Sequence, residues 1–328
     1  MRAAFFETTG GPDVIRYGEI PDAVAGPGEI LVRPEAVGVD AVDAIVRSGR
    51  WATPLRSPAV LGRDLVGTVI ALGEGAAGFA VGDAVWTNSA GYGGRAGATA
   101  ELVPVEQDRL YPLPEGADPV AFVAAVHAGA TAHGVLVGRA ALQPGEKLTV
   151  IGGTGAIGQA LIQVGAAVGA RVVATVRDDA ASDRLRELGA HTVVVAGAPD
   201  AVAAAAADGP LDVLVDTTGR IDTAAALAHL APRGRVVLVA GRSRADLDLW
   251  EVETRELVIA GFIMSAMTAP ELAAAAAWID GMHRARPLTC DIGEVLAFAD
   301  ARRAHELLDA GALPRTRYGT IGRIVLTP

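Results

Sequence analysis

The sequence predicts a two-domain α/β protein in which an all-β module precedes a doubly wound parallel sheet. A chain of 328 residues is long enough for about two domains. Short apolar segments separated by frequent Gly and Pro turns occupy roughly the first 115 residues, which is typical of a small all-β domain. From about residue 120, helices and strands alternate around a glycine-rich segment at 148–176, which is typical of a parallel sheet.

The β module begins with a strand at residues 2–6, and further strands are predicted at 29–33 and 36–39. Dense Gly and Pro turn signals separate the apolar segments that follow. A small barrel is the expected arrangement for strands this short. Pro112 and Pro114 mark the end of the module.

The second domain is organised around a βαβ unit at residues 148–176. A short apolar strand, a glycine-rich turn, a helix with one apolar face and a second strand follow in that order. Gly153-x-Gly155-x-x-Gly158 matches the dinucleotide-binding fingerprint: its glycines permit a tight turn, close approach of a pyrophosphate and close packing of helix on strand. The free N–H groups at the helix start then face the phosphates. We therefore expect a dinucleotide to bind at Gly153, Thr154, Gly155, Ala156, Ile157 and Gly158.

The remaining elements complete a sheet of six parallel strands with crossover helices. Further strands are predicted at 192–195, 212–216, 235–240 and 257–264, and helices at 182–188, 201–207, 223–230, 271–283 and 301–308. A final strand at 322–326 follows the complete sheet and is expected to return to the β module.

Composition excludes several classes of function. The formal net charge is −10 and no basic cluster offsets it, so a nucleic-acid partner is not expected. The single cysteine excludes an intramolecular disulfide, and the N-terminus has no apolar signal core. The uncharged run at 119–138 is interrupted by histidines and is interpreted as a buried helix, not a membrane span. A cytoplasmic protein is expected.

Several short motifs in a fixed order carry a family resemblance. They include Gly38-Val-Asp-Ala-Val-Asp43, Pro58-x-x-x-Gly62-x-Asp64-x-x-Gly67, the glycine motif, and Gly322-Arg-Ile-Val-Leu-Thr-Pro328. The chain thereby resembles the medium-chain dehydrogenase/reductase superfamily, in its zinc-independent quinone oxidoreductase branch. The resemblance implies a GroES-like β-barrel domain from residues 1–121 and 266–328, a Rossmann domain from 122–265, and a cofactor cleft at their junction. It also implies a homodimer formed through the last Rossmann strand, near 257–264.

The resemblance also bears on metal binding. Zinc alcohol dehydrogenases of the superfamily use a catalytic Cys early in the β domain and a four-Cys structural lobe. Here Asp40 holds the first position and the chain has no Cys-rich lobe, so no metal is expected. A mixed site of Asp40, Asp64 and a histidine is the alternative that the residue types permit.

Without a metal, the cofactor carries the chemistry, and hydride passes to an acceptor that is already electrophilic. The protein would contribute position, an apolar wall, and one proton donor. The donor candidates are Asp40, Trp51 and Tyr92. In an apolar cleft the pKa of Asp40 is expected to rise, which would let it donate. The alternative is an Asp40 carboxylate that caps a turn.

The end of the second Rossmann strand decides the cofactor. An NAD enzyme places an acidic residue there for the ribose 2′-OH, whereas this chain has Thr175 and Arg177, which suit a 2′-phosphate. NADPH is therefore expected, although Arg177 could instead pair with the aspartates at 178 and 179. The resemblance adds Thr131 near the nicotinamide or its phosphates, and the loops at Thr217, Ala240 and Gly241 over the cofactor.

The sequence therefore predicts an NADPH-dependent reductase of a small, apolar quinone or activated alkene. Reduction of an enoyl thioester or polyketide enone is the alternative within that class. A cofactor-binding protein with little turnover is the alternative outside it.

Overall fold

The computed structural model describes residues 1–240 and 244–328, except for the side chains of residues 198 and 199. The strands are β1 (Arg2–Phe6), β2 (Arg16–Glu19), β3 (Glu29–Val39), β4 (Ala59–Val60), β5 (Asp64–Leu72), β6 (Ala84–Thr87), β7 (Val103–Glu106), β8 (Tyr111–Pro112), β9 (Lys147–Ile151), β10 (Arg171–Val176), β11 (Thr192–Val195), β12 (Leu211–Asp216), β13 (Leu230–Leu238), β14 (Val258–Gly261), β15 (Ile292–Ala297) and β16 (Arg323–Thr327). The helices are α1 (Ala41–Arg47), α2 (Pro119–His133), α3 (Ala156–Val168), α4 (Ser182–Leu188), α5 (Ala198–Ala205), α6 (Thr223–Leu227), α7 (Leu249–Thr254), α8 (Ala269–Ala285) and α9 (Ala301–Asp309).

The chain divides into two compact units. The first contains residues 1–127, 268–314 and 322–328, and the second contains residues 128–267 and 315–321. The short segment 315–321 therefore packs with the second unit, although the predicted boundaries assigned it to the first. The two units are described separately below.

The first unit is built mainly on antiparallel strands, and β15 and β16 form a parallel pair within it. A larger sheet has the strand order β15-β16-β3-β5-β6-β8, with β7 paired to β3, and a smaller sheet has the order β2-β1-β4. The two predicted strands at 29–33 and 36–39 are one continuous strand, β3, because its pairing with β5 absorbs Pro34 at a register shift. Side chains such as Ile30, Leu65 and Phe298 form one apolar core that includes the returning strand β16. Helix α1 was not predicted.

The second unit contains a parallel sheet with the strand order β11-β10-β9-β12-β13-β14. This is the doubly wound order: strands are added in one direction from β9 to β11, and in the other direction from β12 to β14, so the order reverses between β9 and β12. It confirms the predicted arrangement. Strand β14 is shorter than predicted and forms one edge of the sheet. Its neighbourhood exposes Val258 and Ile263, at 45% and 46% of their surface.

Helix α2 continues through a π-helical segment, Gly134–Arg139. Together these residues form a helix of 21 residues, and its most apolar window of 18 residues has a mean hydropathy of 1.7. The helix is long and apolar enough to cross a membrane, but 78% of that window is buried inside the protein. The buried helix that the sequence predicts is therefore what the structure contains.

His305 on α9 gives the core of the first unit a specific pH dependence. His305 is 2% exposed, and its pKa is lowered from 6.5 to about 4, chiefly because of this burial. The charge of Arg47 adds to the lowering of this pKa, whereas the charge of Asp309 partly opposes the shift. The unfolded chain then binds more protons between those pH values, so this contribution to stability is complete above pH 6.5 and is lost as the pH falls towards 4. The loss amounts to up to about 3 kcal/mol.

We expect His305→Gln to remove this dependence, because glutamine does not titrate. Urea unfolding of both proteins at several pH values between 4.5 and 7 measures the difference in their free energies of unfolding. That difference should move in favour of the variant as the pH falls. A difference that stays constant would mean that His305 titrates alike in the folded and unfolded chains.

Candidate functional site

The loop between β9 and α3 has the geometry of a dinucleotide-binding turn. The residue in the left-handed region is Gly152, with φ +90°, and a Cβ there would lie 2.6 Å from Oγ1 of Thr217. The tight turn was predicted at Gly153 and is therefore one residue earlier. Gly153 instead needs its small size for packing, since a Cβ there would lie 2.9 Å from Cδ1 of Leu185.

The other two glycines of the motif behave as predicted. A Cβ on Gly158 would lie 2.2 Å from the carbonyl oxygen of Gly152, so only glycine lets α3 approach the end of β9 this closely. Gly155 is the N-cap of α3 and has open space beside it: apart from its chain neighbours, the nearest atom of the described residues to a Cβ there would be the carbonyl oxygen of Gly152, at 3.9 Å. Thr154, Ala156 and Ile157 are half-buried around it. The turn therefore fits a pyrophosphate at the helix N-terminus.

Two threonines support this loop from neighbouring strands. The Gly152 N–H donates to Oγ1 of Thr175 at 3.3 Å, and Oγ1 of Thr217 donates to the Ile151 carbonyl at 2.8 Å. Thr217 therefore lies beside the glycine loop, and its position over a bound cofactor stays a prediction. The Thr175 hydroxyl, which is buried, stabilises the turn and does not project beyond the end of β10.

Thr131 on α2 also fits a bound cofactor. Its side chain is 2% exposed, and its Oγ1 has no hydrogen-bond partner among residues 1–240 and 244–328. A buried hydroxyl without a partner costs free energy unless a ligand or water satisfies it, so Thr131 is able to bind a cofactor. Its contact with the nicotinamide or its phosphates stays a prediction. Ala240 is half-buried just after β13, whereas Gly241 lies outside the described residues.

The segment 315–321 packs against the end of β10. The Ile321 N–H donates to the carbonyl of Thr154 at 3.0 Å. At the other end of the segment, Nη2 of Arg315 lies 3.6 Å from Oδ2 of Asp178. Gly319 is in close contact with Ala180, because a Cβ on Gly319 would lie 2.7 Å from the Ala180 carbonyl. The segment thus borders the position where this fold recognises the adenosine ribose.

Arginines gather around Tyr318 in this segment. The guanidinium carbons of Arg184 and Arg317 lie 5.0 and 4.7 Å from the centre of the Tyr318 ring, and Arg317 donates to the Tyr318 hydroxyl. Arg177 is exposed at the end of β10. The ion pair of Asp178 with Arg315 means that this aspartate has a cationic partner other than Arg177. Arg184 and Arg315 are paired with Glu187 and Asp178, and the exposed Arg177 and Arg317 are the side chains whose charge suits a doubly charged phosphate.

A buried charged cluster lies in the first unit. It contains Asp40 at the N-cap of α1, Asp64 at the start of β5, His127 on α2 and Arg323 on β16. Nη2 of Arg323 donates to Oδ2 of Asp40 at 2.6 Å and to Oδ2 of Asp64 at 2.8 Å. Nδ1 of His127 is 3.0 Å from Oδ1 of Asp64 and 3.4 Å from Oδ2 of Asp40. All four side chains are at most 10% exposed.

These neighbours separate the pKa values of the two carboxyl groups. Burial alone would raise the pKa of Asp40, but Arg323 and His127 outweigh it and lower the pKa to about 2. Burial and the Asp40 carboxylate raise the pKa of Asp64 well above its usual value. Burial lowers the pKa of His127 to about 4 against the effect of Asp40, so its imidazole is neutral at pH 7. The predicted rise in the pKa of Asp40 is therefore wrong, and an ionised Asp40 cannot donate a proton.

Asp40 is the N-cap residue of α1, and the carboxylate that closes this first turn is that of Asp43. The Asp40 N–H donates to Oδ2 of Asp43 at 2.9 Å, which fixes the first turn of α1. Burial and the Asp40 charge raise the pKa of Asp43 to about 7.

The other two donor candidates are in contact with each other. The rings of Trp51 and Tyr92 are 5.2 Å apart, and the guanidinium carbon of Arg63 lies 4.8 Å from the centre of the Tyr92 ring. Arg63 also lies 3.8 Å from Asp43, which links this aromatic pair to the charged cluster. Tyr92 is half-buried, so its Gly-rich loop does not leave it on the open surface.

Comparison with known proteins identifies both halves of the chain. Residues 26–115 match the alcohol dehydrogenase GroES-like domain, and residues 156–280 match the zinc-binding dehydrogenase domain. The quinone oxidoreductase of Homo sapiens is 26% identical over 99% of this chain and 97% of its own length, and that of Pseudomonas aeruginosa is 28% identical over 98% of both. The chain belongs to the quinone oxidoreductase branch of the medium-chain dehydrogenase/reductase superfamily.

Solved structures agree with this assignment. A mycobacterial quinone oxidoreductase superposes with a TM-score of 0.85 at 28% identity over the full length of both chains. A mycobacterial structure complexed with NADPH gives 0.84 at 28% identity, and an NAD-dependent alcohol dehydrogenase gives 0.85 at 27%, both over all of this chain and its counterpart. A mycocerosic acid synthase-like polyketide synthase of Mycobacterium tuberculosis is 32% identical over 57% of this chain and 9% of its own length.

The superfamily includes proteins that bind zinc, but the cluster of this member does not fit a zinc ion. Two carboxylates and an imidazole nitrogen could ligate one, yet Nη2 of Arg323 already lies between the carboxylates. A divalent ion there would be a second positive charge next to a buried guanidinium. In this chain the Arg323 guanidinium therefore occupies the position between Asp40 and Asp64 that a metal ion would need in the alternative mixed site.

Sequence reasoning missed two groups of residues that the structure brings to the sites. Arg315, Arg317 and Tyr318 border the cofactor loop, and Arg323 joins Asp40 and Asp64. The signal for the first group was Arg-x-Arg-Tyr-Gly in a loop just before the last strand of a member of this superfamily.

Proposed function

We propose that this protein is an NADPH-dependent, zinc-independent oxidoreductase that transfers hydride to a small, apolar quinone or activated alkene. The observation that carries the proposal is the full-length similarity to proteins named quinone oxidoreductase. The cofactor supplies the hydride, and the acceptor takes that hydride and one proton, so a quinone leaves as a hydroquinone. We also propose that the protein is cytoplasmic.

The chain's own residues bind and position. The N-terminus of α3 and the glycine loop would hold the pyrophosphate. Oγ1 of Thr131, which has no hydrogen-bond partner among the described residues, would exchange a hydrogen bond with the nicotinamide half. Trp51 and Tyr92 supply an aromatic surface for a flat, apolar acceptor. The Tyr92 hydroxyl and the Trp51 indole N–H are then the donor candidates that remain, because Asp40 is ionised and fixed by Arg323. A quinone needs little such help, since its reduced oxygen is a stable anion.

The preference for NADPH is proposed to come from the arginines at the end of β10. We expect Arg317→Ala and Arg177→Ala each to weaken NADPH about tenfold or more and to leave NADH nearly unchanged. A charge-assisted contact with the 2′-phosphate is worth about 1.5–3 kcal/mol, and NADH lacks that group. Titration calorimetry with each cofactor measures both dissociation constants.

Arg186→Ala is the matched control. Arg186 lies on α4, the same helix as Arg184, but pairs with Asp183 at 2.8 Å and is half exposed. This variant should bind both cofactors like the parent protein. An equal loss of NADPH and NADH affinity in Arg317→Ala would mean that the residue only supports the loop.

A turnover screen tests the reaction itself. With NADPH in excess, benzoquinones and naphthoquinones should be reduced fastest, enones more slowly, and saturated ketones not measurably, because a plain ketone needs a Lewis acid or a strong proton donor. Tight NADPH binding without turnover of any acceptor would favour the alternative of a cofactor-binding protein.

Reduction of enoyl thioesters is the second candidate. The similarity to a segment of a polyketide synthase favours it, at 32% identity over 57% of this chain. Rates with a short enoyl thioester that exceed those with every quinone would make it the leading function.

We further propose a homodimer formed through β14, since this edge strand exposes Val258 and the segment just after it exposes Ile263. Val258→Lys, which places a charge on that edge, should shift the protein to monomers in size-exclusion chromatography with light scattering. A mass unchanged by this substitution would exclude the edge as the interface.

A further inference from the structure

The ligand atoms of Asp40, Asp64 and His127 are spaced like those around a metal ion. One ligand atom of each lies within 4.8 Å of the other two. Two ligand atoms on a tetrahedral ion with bonds of about 2.1 Å are about 3.4 Å apart. The distances from Nδ1 of His127 to the two carboxylates, 3.0 and 3.4 Å, are close to this value. Two carboxylates and one imidazole are a ligand set that suits zinc-like divalent ions and leaves a fourth position open.

A cation is nevertheless present among these atoms, and it belongs to the chain. Nη2 of Arg323 lies within 2.8 Å of Oδ2 on both carboxylates, and the Arg323 side chain is 6% exposed. Asp40 and Asp64 raise the already high pKa of Arg323 against the effect of burial, so its charge is permanent.

The packing around Arg323 leaves little additional space. Gly38 on β3 faces the cluster, and a Cβ there would lie 2.9 Å from Nη2 of Arg323 and 3.1 Å from Oδ2 of Asp64. The guanidinium is therefore enclosed by the backbone of β3 as well as by its two carboxylate partners. A metal ion could reach the three ligands only if this guanidinium left.

We propose that the Arg323 guanidinium is the resident cation of the Asp40–Asp64–His127 cluster, that it closes this cluster to divalent ions, and that its removal creates a three-ligand site for zinc-like ions. The arginine supplies one positive charge where a divalent metal ion would supply two, and it holds the carboxylates by hydrogen bonds where the ion would hold them by coordination bonds. The inference concerns the first unit alone and does not depend on the substrate or cofactor proposed above.

Cobalt is the probe, because Co²⁺ bound by nitrogen and oxygen ligands has visible absorption bands. We expect Arg323→Ala to bind one Co²⁺ or Zn²⁺ per chain at least about 100-fold more tightly than the parent protein, with tetrahedral Co²⁺ bands that Zn²⁺ displaces. Adding His127→Asn to Arg323→Ala removes one ligand and should abolish those bands. The matched control is Arg47→Ala, because Arg47 is equally buried in the same unit but pairs with Asp309.

Stability measurements keep the inference testable if Arg323→Ala folds poorly. Zn²⁺ should then raise the thermal midpoint of this variant or restore its folding, and Mg²⁺ should do neither. The thermal midpoint of the parent protein should rise with neither ion. Tetrahedral Co²⁺ bands in the parent protein would overturn the proposal, because its cluster would then be open. An Arg323→Ala protein that neither binds Co²⁺ nor is stabilised by Zn²⁺ would overturn it as well.

Discussion

Gly158→Val should abolish measurable binding of NADPH and NADH alike. A Cβ at this position would lie 2.2 Å from the carbonyl oxygen of Gly152 and 2.8 Å from the Cα of Gly153. Both are backbone atoms, so no change of side-chain rotamer relieves the overlap and the start of α3 must move away from the loop. The helix N-terminus would then no longer face the pyrophosphate. We expect both affinities to fall by at least about 100-fold, measured by titration calorimetry.

Gly165→Val is the matched control on the same helix. A Cβ at Gly165 would also be crowded, at 2.4 Å from Cδ2 of Leu148. That atom is the end of a side chain on β9, however, and not part of the backbone of the glycine loop. This variant should lose about 1–3 kcal/mol of stability from overpacking and still bind the cofactor. If Gly158→Val binds NADPH as tightly as the parent protein, the dinucleotide binds elsewhere.

Asp40→Asn should lower the free energy of unfolding by about 3–5 kcal/mol, because it leaves the buried Arg323 charge without its ionised partner. The pKa of Asp40 is lowered to about 2 chiefly because Arg323 outweighs the cost of burial, so this carboxylate carries the negative charge. Asp64→Asn should cost less, about 1.5 kcal/mol or below, because burial and the Asp40 charge raise the pKa of Asp64 and so make Asp40 the more readily ionised partner of Arg323. Urea unfolding at pH 7 measures both.

The comparison of the two variants decides where the charge resides, since the substitutions are chemically identical. Equal losses would mean that Asp40 and Asp64 share the negative charge. A larger loss for Asp64→Asn would reverse the assignment. Either result would leave the metal-exclusion proposal intact, because that proposal concerns the position of Arg323 and not the protonation of its partners.

The parallel sheet could be predicted because its signals are local. The strand expected at 148–151 is β9 with one residue added, and the strand expected at 172–176 is β10 with one residue added. Each is a continuous apolar run between a glycine turn and a helix, so a few neighbouring residues determine it. Helix α1 was not predicted because it has only seven residues, which is too short for a clear helical repeat of apolar residues.

The contents of the charged cluster could not be predicted because its members are far apart in the chain. Asp40 and Arg323 are 283 positions apart, and nothing in the residues around either one indicates the other. Without Arg323, burial was the only effect that could be anticipated for Asp40, and it gave the wrong direction of the pKa shift. The arginines at 315 and 317 were missed for a similar reason, since only folding brings them to the end of β10.

The division of residues 315–328 between the two units has a consequence for biosynthesis. Residues 315–321 complete the second unit, and residues 322–328 supply β16 and Arg323 to the first. While the chain is being synthesised, β3 therefore lacks its neighbour β16, and the aspartates at 40 and 64 lack their cation, until residue 323 has left the ribosome. A nonsense codon after 314 would leave neither unit whole. The first unit can therefore complete its larger sheet and its charged cluster only after residues 322–328 have emerged from the ribosome.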